Sequence, residues 1–157
     1  MSAKAEPEPL LPEDEQPGLG RLNNFVGFRL RRIQNHLSRQ FSDAAAQYRL
    51  RSGALSALAI IEDNPGISQA DIGRQIGMDS SAVVALIDEL EERGWIARRH
   101  VPSDRRRRAI YLEPAGRETL DELFRILDRT EHAVLRALSS SELLLLNRTL
   151  DRIYDQI

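Results

Sequence analysis

The spacing of the apolar residues changes twice along this chain, and that change constrains the fold more than any other feature. Up to residue 90 the spacing is helical: Ala70, Ile72 and Ile76 form one set, and Val83, Leu86, Ile87 and Leu90 form the next. After Gly94 it drops to two, so that Trp95-Ile96-Ala97-Arg98-Arg99 reads as one strand and Ala109-Ile110-Tyr111-Leu112 as another. Between them lie His100-Val101-Pro102-Ser103-Asp104 and the tract Arg105–Arg108, expected to form a turn-rich tip. From Pro114, which suits a first helical turn, the helical spacing returns through Leu120, Leu123, Leu127, Val134, Leu135 and Leu138. One element cannot satisfy both periods, so the chain must leave a helix, form a hairpin with a basic tip and enter another helix.

The helices before the hairpin are clearly punctuated. Ser68 suits an N-cap, with Asp71 in the first turn. Gly77 suits a C-cap, and Asp79 or Ser80 opens the following helix. Two short helices joined at Gly77-Met78 have the proportions of a helix-turn-helix. Upstream, Leu22, Val26, Leu30, Ile33, Leu37 and Phe41 predict one continuous helix from about Leu19, followed by a softer connection over Ser42–Arg49. Leu55, Leu58 and Ile61 predict a short helix closed by the turn Asp63-Asn64-Pro65-Gly66. Downstream, Ser139–Ser141 cap a last helix carrying Leu143, Leu146, Leu150, Ile153 and Ile157. The expected fold is mainly α with a small β-hairpin, a winged helix-turn-helix flanked by long dimerisation helices. Its parts are a disordered acidic tail at 1–17, an N-terminal dimerisation helix at 18–50, the winged helix-turn-helix at 51–113 and C-terminal dimerisation helices at 114–157.

Charge supports a nucleic-acid partner only once it is mapped. The net charge is -2. Yet residues 93–108 hold seven arginines against the single acid Asp104, while the tail carries Glu6, Glu8, Glu13, Asp14 and Glu15 against Lys4. Cysteine is absent, which excludes disulfides, thiolate metal sites and cysteine redox sensing. His36, His100 and His132 are scattered, with no metal-ligand spacing, so no metal or other cofactor is expected. No nucleophile–base pair, carboxylate pair or glycine-rich phosphate loop stands out, and the chain reads as a non-enzyme. No apolar run approaches a membrane span and the start does not read as a signal peptide, so the expected location is the cytoplasm, at the nucleoid.

The run Gly94-Trp95-Ile96-Ala97-Arg98-Arg99-His100-Val101-Pro102-Ser103-Asp104-Arg105-Arg106-Arg107-Arg108, closing with Ile110-Tyr111-Leu112 and Pro114-Ala115-Gly116-Arg117, resembles the wing signature of the MarR family of bacterial transcription regulators. Gly66-Ile67-Ser68-Gln69-Ala70-Asp71-Ile72-Gly73 is similar to the stretch opening that family's third helix, and the order of elements agrees from about Leu19 to Ile157. Two positions depart from the pattern: Glu113 stands where threonine is usual, and Trp95 where a smaller aliphatic is usual. The resemblance implies a homodimer whose first and last two helices form the interface and whose two winged helices read a palindrome. It also implies that Asp104 braces an arginine and that Arg106 enters the minor groove. It further implies release of DNA by a small, often aromatic, anionic ligand.

Residue chemistry supplies the other site candidates. Subtracting the buried face leaves Ser80, Ser81, Val84, Ala85 and Asp88 outward on the second helix of the motif. The two serines can donate to phosphates or base edges, and Val84 and Ala85 can meet thymine methyls. That face has no arginine, asparagine or glutamine for bidentate base reading, so phosphates and the wing carry much of the affinity. Gln69 is a candidate phosphate contact, as are Arg105, Arg107 and Arg108, with Arg98 and Arg99 as strand-borne support. Arg29, Arg32 and His36 flank the apolar stripe of the first helix and are candidates for pairing with a ligand carboxylate. The expected partners are double-stranded DNA, a second copy of the chain and a small-molecule effector, with no membrane. The apolar stripes outside the winged helix favour dimerisation over helices that merely cap a monomer. A constitutive or architectural DNA-binding protein without an effector is the alternative, and a winged helix used only for protein contacts is a further one.

Overall fold

The computed structural model describes residues 19–101 and 104–156, leaving aside the side chains of 101 and 104–107. The acidic stretch 1–17 and Ile157 therefore lie outside the described residues. The chain divides into two compact units, 1–36 and 37–157.

The described part of the first unit opens with a 3-10 turn, Gly20–Asn24, followed by the helix α1, Val26–Ala44, which continues into the second unit. The helix expected to be continuous from about Leu19 is therefore broken at Phe25, which is extended (φ -102°, ψ 120°). The asparagines at 23 and 24 are the local reason, since their side chains compete for backbone partners and weaken a helix. At its other end α1 runs through Ser42 and Asp43, residues expected in the softer connection. A 3-10 turn, Ala46–Tyr48, then leads into the left-handed Arg49 (φ 47°).

In the second unit, α2 (Ala54–Asp63) buries Ala54, Ala57, Leu58 and Ile61. The Asn64 amide donates to the Ile60 carbonyl at 2.9 Å and closes the helix. The predicted turn then does more than turn: Gly66 N–H donates to Ile110 O at 2.9 Å, and Ile110 N–H donates to Ile67 O at 3.0 Å. This adds a one-bridge third strand to the hairpin. α3 (Gln69–Ile76) starts at Ser68, whose hydroxyl accepts from the Asp71 N–H, and buries Ile72. Ala70, expected on its apolar face, is exposed instead, because α3 is short and only the Ile72 side meets the core. Gly77 takes the left-handed conformation (φ 67°) that the tight turn between the two helices requires. α4 (Ser80–Glu92) is N-capped by Asp79 and buries Val83, Leu86, Ile87 and Leu90 as predicted.

β1 (Ile96–Val101) and β2 (Asp104–Leu112) pair antiparallel, from Ile96 opposite Leu112 to His100 opposite Arg108. The arginine tract, expected at a turn-rich tip, lies within β2 instead. The register explains this. Val101 pairs with Asp104 next to the His100–Arg108 pair, so Arg105, Arg106 and Arg107 are extra residues on the second strand, absorbed as an irregularity. α5 (Pro114–Leu135) follows, with Pro114 in its first turn and Leu120, Leu123 and Ile126 buried. Gly116 lets this helix press against the hairpin, since a Cβ there would stand 2.0 Å from the Trp95 carbonyl oxygen. α6 (Ser140–Tyr154) opens with a capping box formed by Ser139 and Glu142 and has no buried residue. The core gathers Leu58, Ile61, Ile72, Leu86, Ile87, Leu90, Ile96, Ile110, Leu120 and Leu123 between α2, α3, α4, α5 and the hairpin. Among the described residues no helix is long and apolar enough to cross a membrane.

Candidate nucleic-acid interface

α4 shows its buried face to the core and a small-residue face to solvent. Ser80, Ser81, Val84 and Asp88 are exposed and Ala85 is half-buried. The Ser81 hydroxyl donates to the Asp79 carboxylate at 2.6 Å, and the Ala82 N–H donates to the same oxygen at 2.9 Å. These two bonds hold the Asp79 carboxyl below the usual carboxylate range. They also commit the Ser81 proton to the helix cap, which leaves that oxygen better suited to accepting than to donating.

Arg98 is the residue whose surroundings differ most from expectation. Expected from sequence as strand-borne support within the DNA-binding set, its side chain is only 14% exposed and pairs with both Asp88 and Glu91 of α4. Its guanidinium also donates to the Gln69 side-chain oxygen at 3.2 Å. The Arg98 backbone N–H donates to Glu91 at 2.9 Å, the main reason that carboxyl sits below its ordinary value. One arginine thus ties β1 to both helices of the helix-turn-helix. Sequence reading missed the tie because the pairing of Asp88 and Glu91 with position 98 depends on where the hairpin folds back. The three-residue spacing on α4 was the available signal, since it puts both acids on neighbouring positions of one face.

A second arginine anchors the rear of α4. Arg93 donates to the Tyr48 carbonyl at 2.6 Å, to the Arg49 carbonyl at 3.0 Å and to Glu89 at 2.6 Å, while Arg51 donates to Glu89 at 2.9 Å. The Arg51 hydrogen bond, with the Arg93 charge beside it, holds Glu89 below the usual range. Arg93 also lies over the Trp95 ring, 4.9 Å from its centre. Arg99 stacks on Tyr111 at 4.8 Å and donates to Glu113 at 2.8 Å. The two departures from the family pattern, Trp95 and Glu113, therefore each hold an arginine of the basic stretch.

Arg108 is exposed on β2 opposite His100. The side chains of Asp104, Arg105, Arg106 and Arg107 lie outside the described residues. The ligand candidates Arg29, Arg32 and His36 are all exposed on α1, and Arg29 Nε donates to the Asn23 carbonyl at 2.7 Å. Among the described residues no cluster of three His, Asp or Glu could hold a metal ion.

A helix-turn-helix backed by a basic antiparallel hairpin defines a winged-helix DNA-binding protein. The family model for the MarR family matches residues 50–107. The chain is 32% identical over 138 residues to a protein of Thauera aromatica assigned as transcriptional regulatory protein for the hcr operon, a match covering 87% of this chain and 83% of that one. Its fold is similar to that of the transcriptional repressor CouR bound to a 23-mer DNA duplex, with a TM-score of 0.79, 29% identity and coverage of 88% of this chain and 99% of that one. It is also similar to CouR from Rhodococcus jostii RHA1 bound to p-coumaroyl-CoA, with a TM-score of 0.73, 28% identity and coverage of 85% and 94%. The chain belongs to the MarR family and is a DNA-binding transcriptional regulator.

Proposed function

We propose that the protein is a homodimeric repressor that reads a palindromic operator and leaves it when an aromatic, anionic ligand binds. The observation that carries the DNA part is the similarity, over nearly the whole chain, to a repressor seated on a duplex, with the basic strand directly behind α4. In this reading α4 enters the major groove with Ser80, Ser81, Val84 and Ala85 toward the bases. Gln69, Arg105, Arg107 and Arg108 meet phosphates. Arg106, braced by Asp104, enters the minor groove.

Homodimerisation through 18–50 and 114–157 is supported by α6, in which no residue is buried within its own chain. On α6, Leu150 is 37% and Ile153 49% exposed. An apolar stripe of this length in water calls for a partner surface.

The ligand class is narrowed to aromatic acyl-CoA thioesters, which join an aromatic acyl group to several negative charges; p-coumaroyl-CoA is such a compound, bound by a neighbour of similar fold. Arg29, Arg32 and His36, three basic groups along one helix, suit its anionic end.

The test is titration of p-coumaroyl-CoA and related thioesters into the complex with the duplex upstream of the protein's own gene. Release by tenfold or more, about 1.4 kcal/mol of coupling, supports the reading. Tight binding that no thioester weakens would favour a constitutive regulator.

A further inference from the structure

We propose that Arg98 is a positioning residue of the DNA interface, which acts by neutralising Asp88 on the groove-facing side of α4 and by fixing the Gln69 amide, without touching DNA itself. The proposal rests on the reading that α4 enters the groove. Asp88 follows Ser81 and Val84 along the outward face of α4, and its side chain is 59% exposed. A bare carboxylate there would face the phosphate backbone, one negative charge per about 1.7 Å of duplex axis, and would oppose binding. Arg98 supplies the counter-charge from behind, at 14% exposure, so the guanidinium is turned into the protein and away from solvent. Its guanidinium also donates to Glu91 and to Gln69.

The geometry at Gln69 completes the role. Gln69 is the first residue of α3, and its side-chain oxygen accepts from Arg98 at 3.2 Å. That bond uses the acceptor end of the amide and leaves the NH2 end to donate, which is the end an anion needs. Glu91 keeps Arg98 in register: it accepts from the backbone N–H at 2.9 Å as well as from the guanidinium, and the backbone bond survives any substitution of the side chain. One cation therefore sets the charge of α4 and the orientation of a candidate phosphate donor on α3.

The experiment compares the full-length wild type, Arg98→Met, Asp88→Asn and the double variant. Each is titrated with the upstream duplex and with a scrambled duplex of equal composition across a potassium chloride series, with thermal melting as a check on folding. Methionine keeps the buried aliphatic stem and removes the charge. Arg98→Met is expected to weaken binding to both duplexes at least tenfold while changing the log–log salt slope by less than about half a unit; adding Asp88→Asn is expected to restore most of the loss. A slope reduced by about one unit with no recovery in the double variant would show that Arg98 contacts a phosphate directly, and would overturn the proposal. A lowered melting temperature with no recovery would assign Arg98 to folding alone and would overturn it equally. If wild type bound neither duplex in a salt-dependent way, the groove reading would fall, and the proposal with it. That failure is visible in wild type before any variant is compared.

Discussion

The winged helix and the last helix, α6, solve the same problem, an apolar stripe on an amphipathic element, in opposite ways. Leu58, Ile72 and Leu86 are completely buried, each on a different helix of the winged helix, and every partner comes from the same chain. α6 has an equally regular stripe and a better start signal, a complete capping box, yet Leu146, Leu150 and Ile153 remain exposed. The difference lies in what each element packs against, since both are written in the same helical period. A 15-residue helix has little stability in water without packing. The body of the winged helix is therefore self-sufficient, while α6 depends on the proposed second copy.

The contrast can be broken at either end. The largest effect is expected in the core: Leu58→Ala should cost about 2–5 kcal/mol, read as a lowered urea midpoint with Trp95 as the single tryptophan reporter. A loss under about 1 kcal/mol would mean that this core is not closed by its own chain. Next comes Leu150→Glu on α6, which should weaken dimerisation at least tenfold, about 1.4 kcal/mol, in sedimentation equilibrium while leaving the urea midpoint of the isolated monomer unchanged. Unaltered dimerisation would place the subunit interface elsewhere. Ser139→Ala removes the cap of α6 and should cost about 1 kcal/mol, seen as earlier loss of helical circular dichroism on heating.

The smallest effect is a pH dependence of the tie between hairpin and α4. Glu91 and Glu89 both titrate below the ordinary glutamate value of 4.5 in the folded protein. Their stabilisation is therefore fully present above that value and is lost as the pH falls through the lowered folded values. Trp95 fluorescence should report loosening in that acid window, and Arg98→Met should reduce only the part carried by the Arg98–Glu91 side-chain pair, since the backbone N–H of residue 98 and the Arg51–Glu89 bond remain. An identical acid limb in the variant would show that the Arg98–Glu91 pair does not carry it.

Much of the site was legible because it is encoded locally. Ser68, Gly77, Asp79, Pro114 and Ser139 begin or end helices through their own backbone or short polar side chains, within four residues of where they act, and each stands at the helix end expected of it, with Asp79 and not Ser80 capping α4. The break at Phe25 was missed because the apolar spacing runs straight through it, and periodicity is blind to a backbone that turns without losing step. The arginine tract was placed at the tip for a related reason. Four like residues have no period, so only the pairing of Val101 with Asp104 puts them within β2.

The sequence by itself determined the order of helices and hairpin, the buried face of α4, the concentration of arginine behind it and the family, because caps, turns and apolar periods act over a few residues. Tertiary structure alone decided what each arginine does. Arg93, Arg98 and Arg99 look alike in the sequence, but the fold turns the first onto backbone carbonyls and Trp95, the second onto Asp88, Glu91 and Gln69, and the third onto Tyr111 and Glu113. The physical reason is reach. A guanidinium chooses its partners in space, for Arg93 a carbonyl 45 residues away in the chain, and no local pattern records that choice.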